Sequence, residues 1–185
     1  MSILDDGNFA YVIRGGRPIH GILVTGGNKN AALPMLAATL LSGGTVELSN
    51  VPQIRDAAVM LELLAELGAG VEEAAPCAWR VNGSTVASRR VPEKLAGEIR
   101  ASFLLAGPLL ARFGNAELPR PGGDRIGRRP LDAHLHAIEA LGAEIEIGSD
   151  SYRLSAPDGL TGSDVFLHEM SVMATENAVM AASLA

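Results

Sequence analysis

"LAELGAGVEEAAPCAWRV" (residues 64–81) and "IEALGAEIEIGSDSYRL" (residues 138–154) are two versions of one pattern. Leu61, Leu64, Leu67, Gly68 and Ala69 fall on Leu135, Ile138, Leu141, Gly142 and Ala143. The match extends upstream, where "LLSGGTVELSNVP" (40–52) resembles "LARFGNAELPRPG" (110–122). "AATLL" (37–41) finds a later counterpart in "AASLA" (181–185). Recurrence at this spacing marks a chain built from stacked copies of one supersecondary unit.

Each copy reads the same way. An Ala/Leu helix ("NAALPMLAATLL") leads through a glycine turn into a short strand ("TVELSNV"). An amphipathic helix follows ("RDAAVMLELLAELG"), with apolar residues at three-and-four spacing. Gly68 stands where a helix ends in the left-handed conformation. Two strands ("GVEEA" and "WRVNG") close the unit. The second copy runs from Glu98 to Leu154, with "RRPLDAHLHAIEALG" as its amphipathic helix and Pro130 and Asp132 expected in the first turn. A third copy opens with "SVMATENAVMAASLA". A unit that cannot cover its own apolar face needs its neighbour, so the pattern predicts a chain cut within its third unit.

The composition limits what such a chain can do. Its 185 residues are 48% hydrophobic but only 4% aromatic, so the core must be aliphatic. A net charge of −6 argues against a nucleic-acid or membrane-surface binder. Cys77 is the single cysteine, which excludes an internal disulfide and fits a reducing cytoplasm. No apolar run approaches bilayer-spanning length, and the N-terminus does not read as a signal peptide. An anion site would have to be local, made of a few basic side chains and backbone N–H groups.

Candidates for such a site recur at helix entrances. In "VTGGNKNAALP" (24–34), two glycines precede Lys29 and Asn30, and a helix is expected from Asn30. Unpaired N–H groups, the helix dipole and the lysine suit an anion. The P-loop spacing is absent, and a capped helix beside a solvated lysine is the competing reading. "LPRPGGDRIGRRPLDAHLH" (118–136) gathers Arg120, Arg125, Arg128 and Arg129 about Gly122, Gly123 and Asp124. Arginine grips phosphate or carboxylate through paired bonds, and the glycines permit close approach to a ligand. Asp124 would donate a proton there only if burial or a bound anion offset the cations. A solvated loop is the alternative. Arg100 opens an otherwise apolar helix, where a snorkelling surface group is the ordinary reading. Ser171 and Thr175 sit near the third helix entrance, where serine caps are common. His134 and His136 lie on different faces of one helix, so no metal pair is expected. Cys77 falls in a hairpin with no activating neighbour and is not expected to be a nucleophile.

Taken together, "GGNKNAALPMLAATLL", "LSNVPQIRD", "RASFLLAGPLLAR", "PGGDRIGRRPLDAHLHAIEALGA" and "SVMATENAVMAASLA" resemble the enolpyruvyl transferase family, in the right order over nearly the whole chain. Within it, the branch acting on UDP-N-acetylglucosamine in peptidoglycan synthesis is most similar. The resemblance implies an inverted α/β barrel of two domains, each made of βαβαββ units, with no cofactor and no metal. Residues 1–20 would open a second domain that is otherwise missing, and residues 21–185 would form the first domain, incomplete at its C-terminal end. The implied partners are phosphoenolpyruvate, UDP-N-acetylglucosamine and the missing half, on this or another chain. Nucleic acid and membrane are not implied, and the implied location is the cytoplasm. Lys29, Arg129 and Arg100 match phosphoenolpyruvate contacts, and Asn30 matches a sugar contact. Arg129, Pro130, Leu131, Asp132 and Ala133 match a uridine-binding loop, with His134 beside it, and Ser171 and Val172 match diphosphate contacts. Asp124 stands where many relatives carry the cysteine that fosfomycin alkylates. An acid can still donate a proton but cannot form the thioether, so the expectation is insensitivity, tested by assaying for irreversible inactivation. Glu169 also departs from the pattern, since some relatives have a lysine there. The alternatives are a sister transferase for another acceptor and a non-catalytic nucleotide-sugar-binding module. This chain alone is expected to be inactive.

Overall fold

The computed structural model describes residues 2–3, 9–10, 12–123, 127 and 129–185. Asp124, Arg125 and Arg128 lie outside the described residues.

The repeat seen in the sequence is the repeat of the fold. In the first unit, α1 (Lys29–Ala38) leads to β3 (Thr45–Leu48), α2 (Arg55–Glu66), β4 (Gly70–Ala75) and β5 (Ala78–Asn82). In the second, the short helix α3 (Glu93–Ala96) and the 3-10 helix Arg100–Leu105 run into α4 (Ala106–Phe113). Then come β6 (Asn115–Pro119), α5 (Asp132–Ala140), β7 (Glu144–Ile147) and β8 (Ser151–Ser155). Each unit makes a three-stranded antiparallel sheet with its last strand in the middle, in the orders β3-β5-β4 and β6-β8-β7. The opening strand expected of a full unit is reduced in the second to one parallel bridge, Arg90 to Glu117. In the first it is absent among the described residues. Ahead of α1, β1 (Ser2–Ile3) and β2 (Phe9–Ala10) pair, among the described residues, only with each other. After β8, α6 (Val172–Ala182) is the third counterpart of α1 and α4.

The helices lie inside and the sheets outside. α1 and α6 are Ala/Leu/Met-rich on several faces, as a helix surrounded by others must be. Leu36, Leu40, Met60, Leu63, Leu64, Phe103, Leu105 and Leu109 are fully buried, all from helical segments. The strands alternate between half-buried and exposed, with charges on their outer faces. Cross-strand ladders stand at matching places: Glu47 and Glu72 flank Arg80 in the first sheet, and Glu117 and Glu146 flank Arg153 in the second.

Gly68 and Gly142 take positive φ just past α2 and α5, as the pattern required. Cys77 sits in the β4–β5 turn and the neighbouring His136–His168 rings belong to no metal cluster among the described residues. Two local expectations shift. α1 begins at Lys29, one residue early, because the Asn28 side chain accepts from the Ala31 N–H and serves as the cap. α5 begins at Asp132, so Pro130 precedes the helix and is not in its first turn.

Candidate functional site

Three helix entrances converge. Lys29 and Asn30 at the start of α1, Arg100 at the start of the 3-10 helix, and Gly123 and Arg129 ahead of α5 line one cavity of about 420 Å3. Val172, Met173 and Glu176 of α6 form its far wall. Arg100, Arg129, Val172 and Met173 also line an adjoining cavity of about 360 Å3, completed by Pro130, His134, Glu169 and Ser171. Of the residues singled out in the sequence, Lys29, Asn30, Arg100, Arg129, Pro130, His134, Ser171 and Val172 therefore share one composite cleft. Leu131 and Ala133 are instead buried, and Asp132 is exposed outside either cavity.

The electrostatics favour an anion. Arg100 donates to the Pro130 carbonyl at 3.0 Å, which fixes its guanidinium beside the Arg129 loop. Burial, and then the neighbouring Arg129 charge, hold the Arg100 guanidinium below its ordinary range. Among the described residues, neither arginine has a carboxylate within ion-pairing distance. Two like charges held together without a counterion are relieved by a bound anion. Lys29 differs, because Asp56 pairs with it at 2.5 Å. It is half exposed to solvent, but it is not an unpaired cation.

Ser171 caps α6, its hydroxyl accepting from the Ala174 N–H at 3.3 Å. His134, almost wholly buried, is held down to a pKa of about 4, first by burial and then by the Arg100 charge. Its imidazole is neutral at physiological pH.

The close approach allowed by Gly122 and Gly123 is in part to the protein's own backbone, while Gly123 also lines the larger cavity. Their N–H groups donate to the Ala96 and Gly97 carbonyls, and a side chain at Gly122 would collide with Gly97. Arg120 turns away from the cleft: it donates to the Ser149 carbonyl at 2.8 Å and stacks on Tyr152. The sequence reading also missed Asp56, Glu98 and Glu176, three carboxylates lining the larger cavity. Burial raises the Glu176 carboxyl above its usual range. Its signal was its place one helical turn beyond Val172.

Residues 13–185 match the family model for EPSP synthase (3-phosphoshikimate 1-carboxyvinyltransferase). The chain belongs to the EPSP synthase family. Within this family, it is 49% identical to a UDP-N-acetylglucosamine 1-carboxyvinyltransferase of Treponema denticola, over 95% of this chain and 41% of that one. It is 47% identical to the enzyme so named from Bradyrhizobium diazoefficiens, over 93% of this chain and 39% of that one. The chain thus spans about two fifths of the length of these relatives. Among solved structures, the enolpyruvyl transferase NikO from Streptomyces tendae superposes with a TM-score of 0.73 at 24% identity, covering 90% of this chain and 39% of that one. EPSP synthase from Acinetobacter baumannii gives 0.66 at 16% identity, over 87% and 37%. The fold is that of the enolpyruvyl transferases, the inverted α/β architecture that the family resemblance implied.

Proposed function

We propose that this chain carries the first-domain half of an enzyme that moves the enolpyruvyl group of phosphoenolpyruvate to the 3′-hydroxyl of UDP-N-acetylglucosamine. The reaction releases phosphate and supplies peptidoglycan synthesis. The hydroxyl oxygen gives up its proton to a base and bonds to C2 of phosphoenolpyruvate while C3 takes a proton. The resulting tetrahedral adduct then loses phosphate from C2 and a proton from C3, which leaves the enol ether. Lys29, Arg100 and Arg129 would hold the phosphoenolpyruvate anion. Asn30 would contact the sugar, Arg129 to Ala133 the uridine with His134 beside it, and Ser171 and Val172 the diphosphate. Asp124 would handle the C3 proton. Fixed cations where charge builds on a departing phosphate are the main catalytic resource for such chemistry.

The observation that carries this reading is the pair Arg100–Arg129, two adjacent guanidiniums in a cleft continuous with Lys29 and the capped start of α6. The named relatives favour the nucleotide-sugar acceptor over 3-phosphoshikimate. Residues 1–20 would open a second domain and residues 21–185 the first. In support, β1 and β2 pair only with each other among the described residues, and Ile13 and Ile19 are 87% and 96% exposed. No helix among the described residues is long and apolar enough to cross a membrane, and a cytoplasmic location fits the proposed substrates.

Binding and turnover distinguish the readings when measured separately. A calorimetric titration with UDP-N-acetylglucosamine tests the site, and phosphate release from phosphoenolpyruvate tests the reaction. Binding without turnover by the whole protein would favour the non-catalytic module. Turnover with 3-phosphoshikimate but not with the nucleotide sugar would favour the sister transferase.

A further inference from the structure

The core holds one polar pair that its packing does not require. Four polar side chains are buried among the described residues: Thr39, Ser102, His134 and Asn177. Thr39 and Ser102 donate to nearby backbone carbonyls. His134 on α5 and Asn177 on α6 bond to each other at 2.9 Å. In the first repeat, the places of these two residues are held by Met60 and Leu33, both buried and apolar. The scaffold therefore accepts hydrocarbon there, and burying an amide and an imidazole is a costlier choice.

Backbone groups fix which way the Asn177 amide faces. The Gly107 N–H donates to its oxygen at 2.9 Å, and its nitrogen donates to the Phe103 carbonyl at 2.8 Å. The atom facing His134 Nδ1 is thus an N–H donor, and Nδ1 must accept. A neutral ring that accepts at Nδ1 carries its proton on Nε2. Nε2 has no hydrogen-bond partner among the described residues, and His134 lines the cavity shared by Arg100, Arg129 and Ser171. The edge of Phe103 packs against the ring, with centroids 5.2 Å apart. The charged groups around the imidazole are Arg100 and Arg129, with Glu169 on the same wall.

We propose that Asn177 is a positioning residue that locks His134 as the Nε2–H tautomer, which offers a neutral donor to the phosphate-bearing substrate in the Arg100–Arg129 cavity. The ligand half rests on the enolpyruvyl-transfer reading, while the tautomer half stands without it. A neutral donor suits the place, because a third cation would add to the repulsion between the two arginines.

The test is nitrogen NMR on the full chain labelled at its four histidines. His134 is expected to hold its proton on Nε2 throughout the neutral range and to titrate only near pH 4. Protonation on Nδ1, or titration at the ordinary histidine value, overturns the proposal. Asn177→Asp replaces the donor with an acceptor, so His134 should gain a proton on Nδ1 and become cationic at neutral pH. With a charged donor then facing the cavity, the protein's affinity for UDP-N-acetylglucosamine should change about tenfold or more. Should that variant fail to fold, Asn177→Leu supplies the residue of the first repeat and removes the lock. Unchanged affinity in a variant whose tautomer has changed overturns the role at the site. Absence of nucleotide-sugar binding in the wild-type protein overturns the functional reading, and the tautomer measurement still decides the positioning claim.

Discussion

The two repeat units share a sheet order, a Glu–Arg–Glu ladder and a glycine of positive φ past the second helix. They differ in the chain joining first strand to second helix. Residues 49–54 make that link in the first unit. They form a tight path, with the Val51 N–H donating to the Cys77 carbonyl. The second unit begins its link the same way, with the Arg120 N–H donating to the Asp150 carbonyl. It then spends twice the length, over residues 120–131, on a Gly-Gly passage and a run of arginines. Arg55 and Arg129 occupy matching places at the ends of these links. Arg55 reaches Glu62 and Glu98 on the surface, whereas Arg129 enters the cleft. The scaffold is repeated, and the longer link places one copy of a shared arginine in the cleft.

That contrast can be broken in graded steps. The largest effect is expected from Arg129→Ala, which should lower turnover of the whole enzyme about 10²–10³-fold in steady-state assays, the usual loss for a fixed group serving transition-state charge. Next is Gly122→Ala. Its new methyl would meet the Gly97 carbonyl, and overpacking of this kind costs about 1–3 kcal/mol, readable as a lower Tm. The mutation should also displace Arg129 and weaken substrate binding, because the Gly-Gly contact seats the link against the start of the 3-10 helix.

A pH scan gives the third step. His134 is neutral in the fold to about pH 4, but titrates near 6.5 when unfolded. Between those values the unfolded chain binds the extra proton, so acid draws the protein toward unfolding. Above pH 6.5 this histidine costs nothing. As pH falls to 4 the loss grows to about 3 kcal/mol at most. His134→Met, which restores the first-unit residue, should flatten that part of the acid limb in denaturant melts while weakening nucleotide-sugar binding. The smallest effect belongs to Arg55→Ala. Its ion pairs are exposed, so substrate affinity should change by less than about twofold and Tm should barely move.

The scaffold was legible in the sequence because its causes are local. Three-and-four spacing announced α2, and Gly68 and Gly142 marked where the helices stop. The cleft was legible only in part. Lys29, Arg129 and Ser171 could be read as anion-friendly because each stands at a helix entrance, whereas Arg100 by itself read as a snorkelling surface group. Their convergence depends on helix packing that no local pattern encodes. The Lys29–Asp56 pair, the seating of Gly122 on Gly97 and the turning of Arg120 toward Ser149 join residues far apart in the chain. The pairing of His134 with Asn177 was hidden for a different reason. Each occupies an apolar position of the repeat, and only the buried bond between them shows that the exchange was made as a pair.

The most direct test is a crystal structure of the protein with UDP-N-acetylglucosamine and phosphoenolpyruvate bound. The account predicts phosphate oxygens on Arg100 and Arg129, with the nucleotide reaching Ser171 at the start of α6. The larger groove of about 650 Å3 on the outer face of the second sheet, where Arg90 and Arg153 already face glutamates, should stay empty. Ligand in that groove, with Arg100 and Arg129 left untouched, would contradict the account.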